Sequence, residues 1–323
     1  MLETNTSVPN VYSSQLEPVP DRYDAANTLT DVQGRALTAE DFIKVHTEPL
    51  YVRTREEYQI ADEPDGQTYH IEEQEYEQRI HTHKAVVDDE GNILSIVGKG
   101  YNVIQNADIM PDYERAIYLS GLDTTGMTRD IQQSHGGART VVTYTFPAHR
   151  IEVRKDDPMD LKISVLNSYD GSWKFMSLVG ALRLACLNGQ VIGNFFSSFY
   201  GKHTKSLEPE VAVNKLRMSL GTYTENAEYW KQYPNIPVNE LQVNNVFINL
   251  AGESKVLGEY LHNIYAKYQD DMGANLWALY NTLTDWSSHA EFRNKANQAA
   301  TVITREQKVR KVLPMLEDIR KAA

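Results

Sequence analysis

The amino-acid sequence predicts an α+β protein: a central antiparallel β-meander followed by a helical C-terminal part. Three observations point there. Between residues 79 and 208, short β-branched or aromatic runs alternate with turn residues. Two pairs, Asp170-Gly171 and Asn188-Gly189, interrupt those runs in the way that tight hairpin turns do, because a type I′ turn needs positive φ at both central residues. After Pro209, apolar residues recur at steps of three and four, the period of a helix buried along one face.

Residues 1 to 78 read as an acidic, partly flexible N-terminal arm. The first 40 residues hold Pro9, Pro18, Pro20 and Gly34 among many Ser, Thr, Asn and Asp, with no sustained apolar period. The stretch from Glu56 to Gln78 is acid-rich around the turn signature Pro64-Asp65-Gly66 and reads as a solvated segment. From residue 79 the β-rich core begins. Arg79 to Val87 alternates, Asp89-Glu90-Gly91-Asn92 turns the chain, and Ile93 to Val97 returns as the second strand of a hairpin. A helix is expected from about Ala107 to Ser120, with Asn106 as its N-cap and Gly121 as its stop.

Val141 to Thr145 and Leu161 to Leu166 favour a pleated, half-buried surface. Ser177 to Leu187 fits a further strand or a short buried helix equally by periodicity. From residue 209 to 323 the chain reads as helical, packed on or beside the core. Val213, Leu216, Leu220, Tyr223, Ala227 and Trp230 form one stripe, and Leu257, Leu261, Ile264 and Tyr268 another; Leu276, Leu279, Tyr280 and Leu283 form a third. Ordinary core packing accounts for such stripes. The tail from about Arg305 is a charged helix that Pro314 should kink or restart.

Composition narrows the function. A chain of 323 residues can bury a substantial core without a covalent staple. Its one cysteine, Cys186, lies in an apolar run, which suggests a buried thiol, a reducing compartment and a cytoplasmic location. No stretch approaches the roughly 18 apolar residues of a membrane helix. The formal net charge of −12 speaks against general affinity for nucleic acid. That charge is uneven, however. Residues 1 to 79 hold 17 acids against 6 Lys and Arg, whereas residues 139 to 207 hold 9 Lys and Arg against 5 acids.

No catalytic constellation emerges, so the chain reads as a binding protein, not an enzyme, without metal or cofactor. His81 and His83 would share one strand face, a spacing compatible with a metal, but two ligands do not complete a tetrahedral set. His135 and His149 flank the next strand region. Gly201-Lys202-His203-Thr204 departs from a phosphate loop, with Phe196 where the first glycine belongs and His203 where the magnesium-holding hydroxyl belongs. Ser134-His135-Gly136-Gly137 could cradle an anion, though a plain loop explains it as well.

What remains is a basic and aromatic set. Arg139, Arg150, Arg154, Lys155, Lys162, Trp173, Lys174, Arg183, Lys202 and Lys205 lie on or beside the expected strands, interleaved with Tyr144, Tyr169, Phe195 and Tyr200. Cations that follow a phosphate backbone and rings that stack on bases hold single-stranded DNA in this way. A half-buried sheet with a solvated charged face is the plainer alternative.

Four segments carry a resemblance: Asn167-Ser168-Tyr169-Asp170-Gly171-Ser172, Arg183-Leu184-Ala185-Cys186-Leu187-Asn188-Gly189, Gly100-Tyr101-Asn102-Val103-Ile104-Gln105-Asn106, and Leu276 to Trp286. Over roughly residues 79 to 290 the chain resembles the phage and plasmid proteins catalogued as domain of unknown function 932, the YafZ, YfjQ and YubP group. That group occurs on phages, prophages and plasmids near replication, recombination or anti-restriction genes. The resemblance implies DNA metabolism and names no site residue. Strands followed by helices are also similar, in topology alone, to Rad52-like single-strand annealing proteins of phages. Two functions are therefore expected: binding single-stranded DNA in a groove of the central sheet for annealing or recombination, in a homo-oligomer or with a host or phage replication or recombination protein; or presenting the acidic N-terminal part to inhibit or recruit a host DNA-binding or defence protein.

Overall fold

In the computed structural model, residues 37, 39–61, 69–183, 188–198 and 209–323 are described. The architecture is α+β, as expected. A three-stranded antiparallel sheet, β1 (Val45–Ala61), β2 (Tyr69–Asp88) and β3 (Ile93–Gly98), precedes a five-stranded one in meander order. The second sheet comprises β4 (Thr128–Ser134), β5 (Arg139–Glu152), β6 (Pro158–Ser168), β7 (Met176–Arg183) and β8 (Asn188–Ser198). Helix α1 (Asn106–Leu119) lies between the sheets in sequence, and α2 (Pro209–Gln232), α3 (Glu240–Ala251), α4 (Lys255–Met272), α5 (Leu276–His289) and α6 (Gln298–Ala322) follow.

The central strands β5, β6 and β7 are covered on both faces, because successive residues carry apolar side chains on opposite sides. Val142, Tyr144, Ile163, Val165 and Val179 join Ile109, Met110, Tyr113 and Ile117 of α1 in the main core. Val141, Leu166 and Leu178 pack instead with Trp173 and with Ala299, Ala300 and Ile303 of α6. Helix α5, buried almost all round, packs through Leu276, Trp277, Leu279, Tyr280, Leu283 and Trp286, while Asn281, Thr282, Thr284 and Ser287 bond back to its own carbonyls. Leu216, Tyr223, Ala227 and Trp230 of α2, with Leu261 and Ile264 of α4, bury the stripes read from the sequence.

Side-chain caps fix several helix starts. Asn239 forms a reciprocal capping box with Gln242, and the Ser254 and Asn275 side chains accept from Leu257 and Ala278 N–H groups.

Several expectations change. The acid-rich segment is not an irregular arm: Val45–Ala61 and Tyr69–Asp88 pair rung by rung from Val45↔Asp88 to Ala61↔Tyr69. Its outer part is wet on both faces, so no hydrophobic alternation advertised the strands. Of the two readings open for Ser177 to Leu187, the described part, up to Arg183, takes the strand that the meander required. Asp170-Gly171 sits in the seven-residue connection between Ser168 and Met176, with positive φ at Gly171 and not at Asp170. Asn188 pairs with Arg183 and Gly189 with Leu182, so this pair opens β8, and Cys186 lies outside the described residues. Asn106 is the first residue of α1, capped by none of its own side-chain bonds, whereas Gly121 at φ +80° does follow the helix end. Helix α6 runs through Pro314 without a break.

Candidate functional site

The segments that carried the family resemblance meet inside the fold. Asn167 of β6 donates to the Ile104 carbonyl at 3.0 Å and to Asn106 Oδ1 at 2.8 Å, while Asn106 Nδ2 donates to Thr140 Oγ1 at 2.9 Å. The backbone N–H of Asn106 donates to the Tyr169 hydroxyl at 3.0 Å, and burial pushes that phenol up to about 12. Tyr101 Oη donates to the Ser168 carbonyl at 2.7 Å. Asn106, Asn167, Ser168 and Tyr169 are all buried. Each amide and hydroxyl thus satisfies another segment's polar group, and the cluster pins the start of α1 to β5 and β6.

A second junction joins Arg183 to α5. Asp157 accepts from Arg183 Nη2 at 2.8 Å and from Trp277 Nε1 at 3.1 Å, and Arg154 Nε lies 3.5 Å from the same carboxylate. Deeper still, Arg129 donates to both oxygens of Glu114, and burial pushes the Glu114 carboxyl above its ordinary value even against that guanidinium. Both junctions are ion pairs whose side chains are withdrawn from solvent, an arrangement that ties elements together.

The basic and aromatic set is not gathered into a groove. Trp173 is buried, 8 % exposed, beneath α6, with the Arg139 guanidinium over its ring. A ring in that position stacks on side chains and not on bases. Arg139 pairs with Asp170 at 2.7 Å, Arg150 with Asp160 at 2.7 Å, Arg154 with Asp271 at 3.1 Å and Lys162 with Glu306 at 3.0 Å. Arg183 is buried against Asp157. Lys155 and Lys174 are exposed, and Lys202 and Lys205 lie outside the described residues, as do Tyr200 and the phosphate-loop look-alike. The Ser134–Gly137 segment is the β4–β5 turn; its His135 N–H donates to Asn297 Oδ1 and its Gly137 N–H to the Ser134 carbonyl, which fits the plain-loop reading better than an anion cradle. His149 accepts from the Asp123 N–H. His81 and His83 are exposed on β2, and among the described residues no group of three or more His, Cys, Asp or Glu converges to hold a metal.

The sequence reading missed the ribbon. Tyr51 to Glu57 of β1 and Ile71 to Arg79 of β2 are exposed along their whole length, on both faces. Arg53 bonds Glu77 at 2.8 Å and Arg55 bonds Glu73 across the strands. Near the base the rungs carry Lys84, Arg79 and Arg53 against Glu77; toward the tip they carry Glu56, Glu57, Glu72 and Glu73 and no Lys or Arg. The turn signature Pro64-Asp65-Gly66 in the sequence, between two stretches of similar length, was the signal that could have found it.

The model of the domain-of-unknown-function family DUF932 matches residues 93–312. The chain belongs to that family. The matched span starts at the first residue of β3, so the ribbon of β1 and β2 precedes it. No curated protein and no solved structure matches the chain, and the likeness to Rad52-like annealing proteins finds no support. Among the described residues no helix is long and apolar enough to cross a membrane.

Proposed function

We propose that this DUF932 member is a binding protein that engages another protein through its ribbon, the partner offering a basic surface to the acidic strand β2. The observation that carries this reading is the exposure of residues 71 to 79, which set Glu72, Glu73, Glu75 and Glu77 in open solvent on both faces. A two-stranded ribbon is marginal in water by itself, so its persistence so far from a core suits a surface that is completed on binding. Its charge would steer a basic partner and reject acidic ones. A DNA-binding protein of host or phage, whose DNA-facing surface is basic, is the class of partner it fits. Single-strand binding by the central sheet loses ground, because Trp173 and Arg183 are buried and four other members of that set meet carboxylates.

The test is site-specific photo-crosslinking from position 74 in producing cells, compared with the same probe in a Glu72→Lys, Glu73→Lys, Glu75→Lys variant. One dominant crosslinked protein of basic isoelectric point, lost on charge reversal, is expected. A pattern unchanged by the reversal would sink the reading. Salt-sensitive binding of labelled single-stranded oligonucleotides by the purified chain would return the single-strand function in its place.

A further inference from the structure

We infer that the outer edge of β1 is a self-association site, at which a second copy of this chain pairs antiparallel to form a continuous four-stranded ribbon. β1 is the terminal strand of its sheet, so from Leu50 to Ala61 one row of its backbone N–H and C=O groups faces away from β2. Such a row is a template for another strand unless something guards it. Pro49, which has no N–H, sits at the inner limit of the open stretch and marks where a ladder must stop.

Charge selects the occupant. A two-fold axis perpendicular to the ribbon sets residue i opposite a residue of the same face, so the strand's own sequence decides whether it can pair with itself. With Arg55 on the axis, Arg53 of each copy faces Glu57 of the other. With Glu56 on the axis, Arg55 faces Glu57 instead. Either register makes two opposite-charge pairs against one like pair. The outer edge of β2 behaves otherwise: every axis placed within residues 72 to 77 sets glutamate opposite glutamate. One edge is therefore self-complementary and the other is guarded. Antiparallel pairing also brings the acidic tip of each ribbon toward the base of the other, where Arg79 and Lys84 lie. The arginines have room for a second carboxylate, since Arg53 and Arg55 side chains are 72 % and 55 % exposed in their present pairs. Because this pairing uses the edge opposite the acidic strand, it holds whether or not a basic partner binds β2.

Sedimentation equilibrium of the full chain over a dilution series tests it. A reversible dimer is expected. The Arg53→Glu, Arg55→Glu variant makes the centre of β1 wholly acidic, and Glu56→Arg, Glu57→Arg makes it wholly basic. Each alone should dimerise about tenfold more weakly or worse, and an equimolar mixture of the two should restore the dimer. Hydrogen exchange of the unmodified chain supplies a reading that needs no variant: amides of residues 50 to 57 should exchange more slowly at high concentration than at low. A full chain that stays monomeric at every concentration overturns the proposal, including the case in which its own first 36 residues cover the edge. So does a dimer indifferent to both variants, or a mixture that fails to associate. Because Arg55 pairs with Glu73, crosslinking from position 74 is read in the chain with β1 unaltered, where it reports on the basic partner separately.

Discussion

Arg183 meets Asp157 through two parallel bonds, Nε to Oδ1 at 2.5 Å and Nη2 to Oδ2 at 2.8 Å, with both side chains withdrawn from solvent. The pair closes the end of β7 onto the connection between β5 and β6, and Trp277 brings α5 to the same carboxylate. Asp157→Ala leaves a buried guanidinium and an indole N–H without their acceptor. Urea unfolding should register a loss of about 3 to 5 kcal/mol. A loss under about 1 kcal/mol would mean that water reaches the junction.

The Asn106–Asn167 junction makes a smaller, separable demand. Asn167→Leu keeps volume but strips the donor from the Ile104 carbonyl and from Asn106 Oδ1. Each orphaned buried group costs about 1 to 3 kcal/mol. Since Tyr169 shares the cluster through the Asn106 N–H, the effects of Asn167→Leu and Tyr169→Phe should be non-additive in a double-mutant cycle. Simple additivity would show that the two bonds are independent.

Trp173 gives the sharpest contrast between the two readings of the basic set. As a core side chain packed on Val141, Leu166 and α6, its replacement by alanine should cost about 3 to 5 kcal/mol and lower Tm. An unchanged Tm, with oligonucleotide binding lost, would place the ring at a nucleic-acid surface after all.

Acid should weaken the Asp170 link in a defined window. Burial alone would raise this carboxyl, but the Ser172 N–H and the Arg139 guanidinium outweigh it, and the net direction is downward from the ordinary 3.8. A carboxylate with a depressed folded value stabilises fully above the unfolded value and loses that contribution as pH falls through the folded one. The stability gap between the native chain and Asp170→Asn should therefore be constant at pH 5 and above and shrink below about pH 4. A gap that widened on acidification would reverse the assigned direction.

Where burial writes the pattern, the sequence is readable. Val141 to Thr145 form an unbroken β-branched and aromatic run because both faces of β5 are covered, and the steps from Leu216 to Trp230 follow one wall of α2. The ribbon was illegible for the opposite reason: Thr54 and Gln74 on one face and Arg55 and Glu75 on the other all meet solvent, so selection for strand pairing leaves no apolar contrast. The basic set was legible by residue type and misleading by partner. Glu306 lies 144 residues from Lys162 and Asp271 lies 117 from Arg154, distances at which a sequence offers no sign that a cation has already been claimed.

Between Pro49↔Lys84 and Leu50↔Ile80 the register slips, and His81, Thr82 and His83 have no partner residue on β1. That bulge stands where the ribbon leaves the three-stranded base, so the ladder is interrupted at the fulcrum and intact along the lever. At about 3.3 Å per residue, the rungs beyond it span roughly 40 Å. A swing of some 10° at the bulge then carries the tip through about 7 Å. The reach of the tip is thereby governed by three exposed residues that β1 leaves unmatched, and shortening the bulge should change where the arm points without altering what it bears.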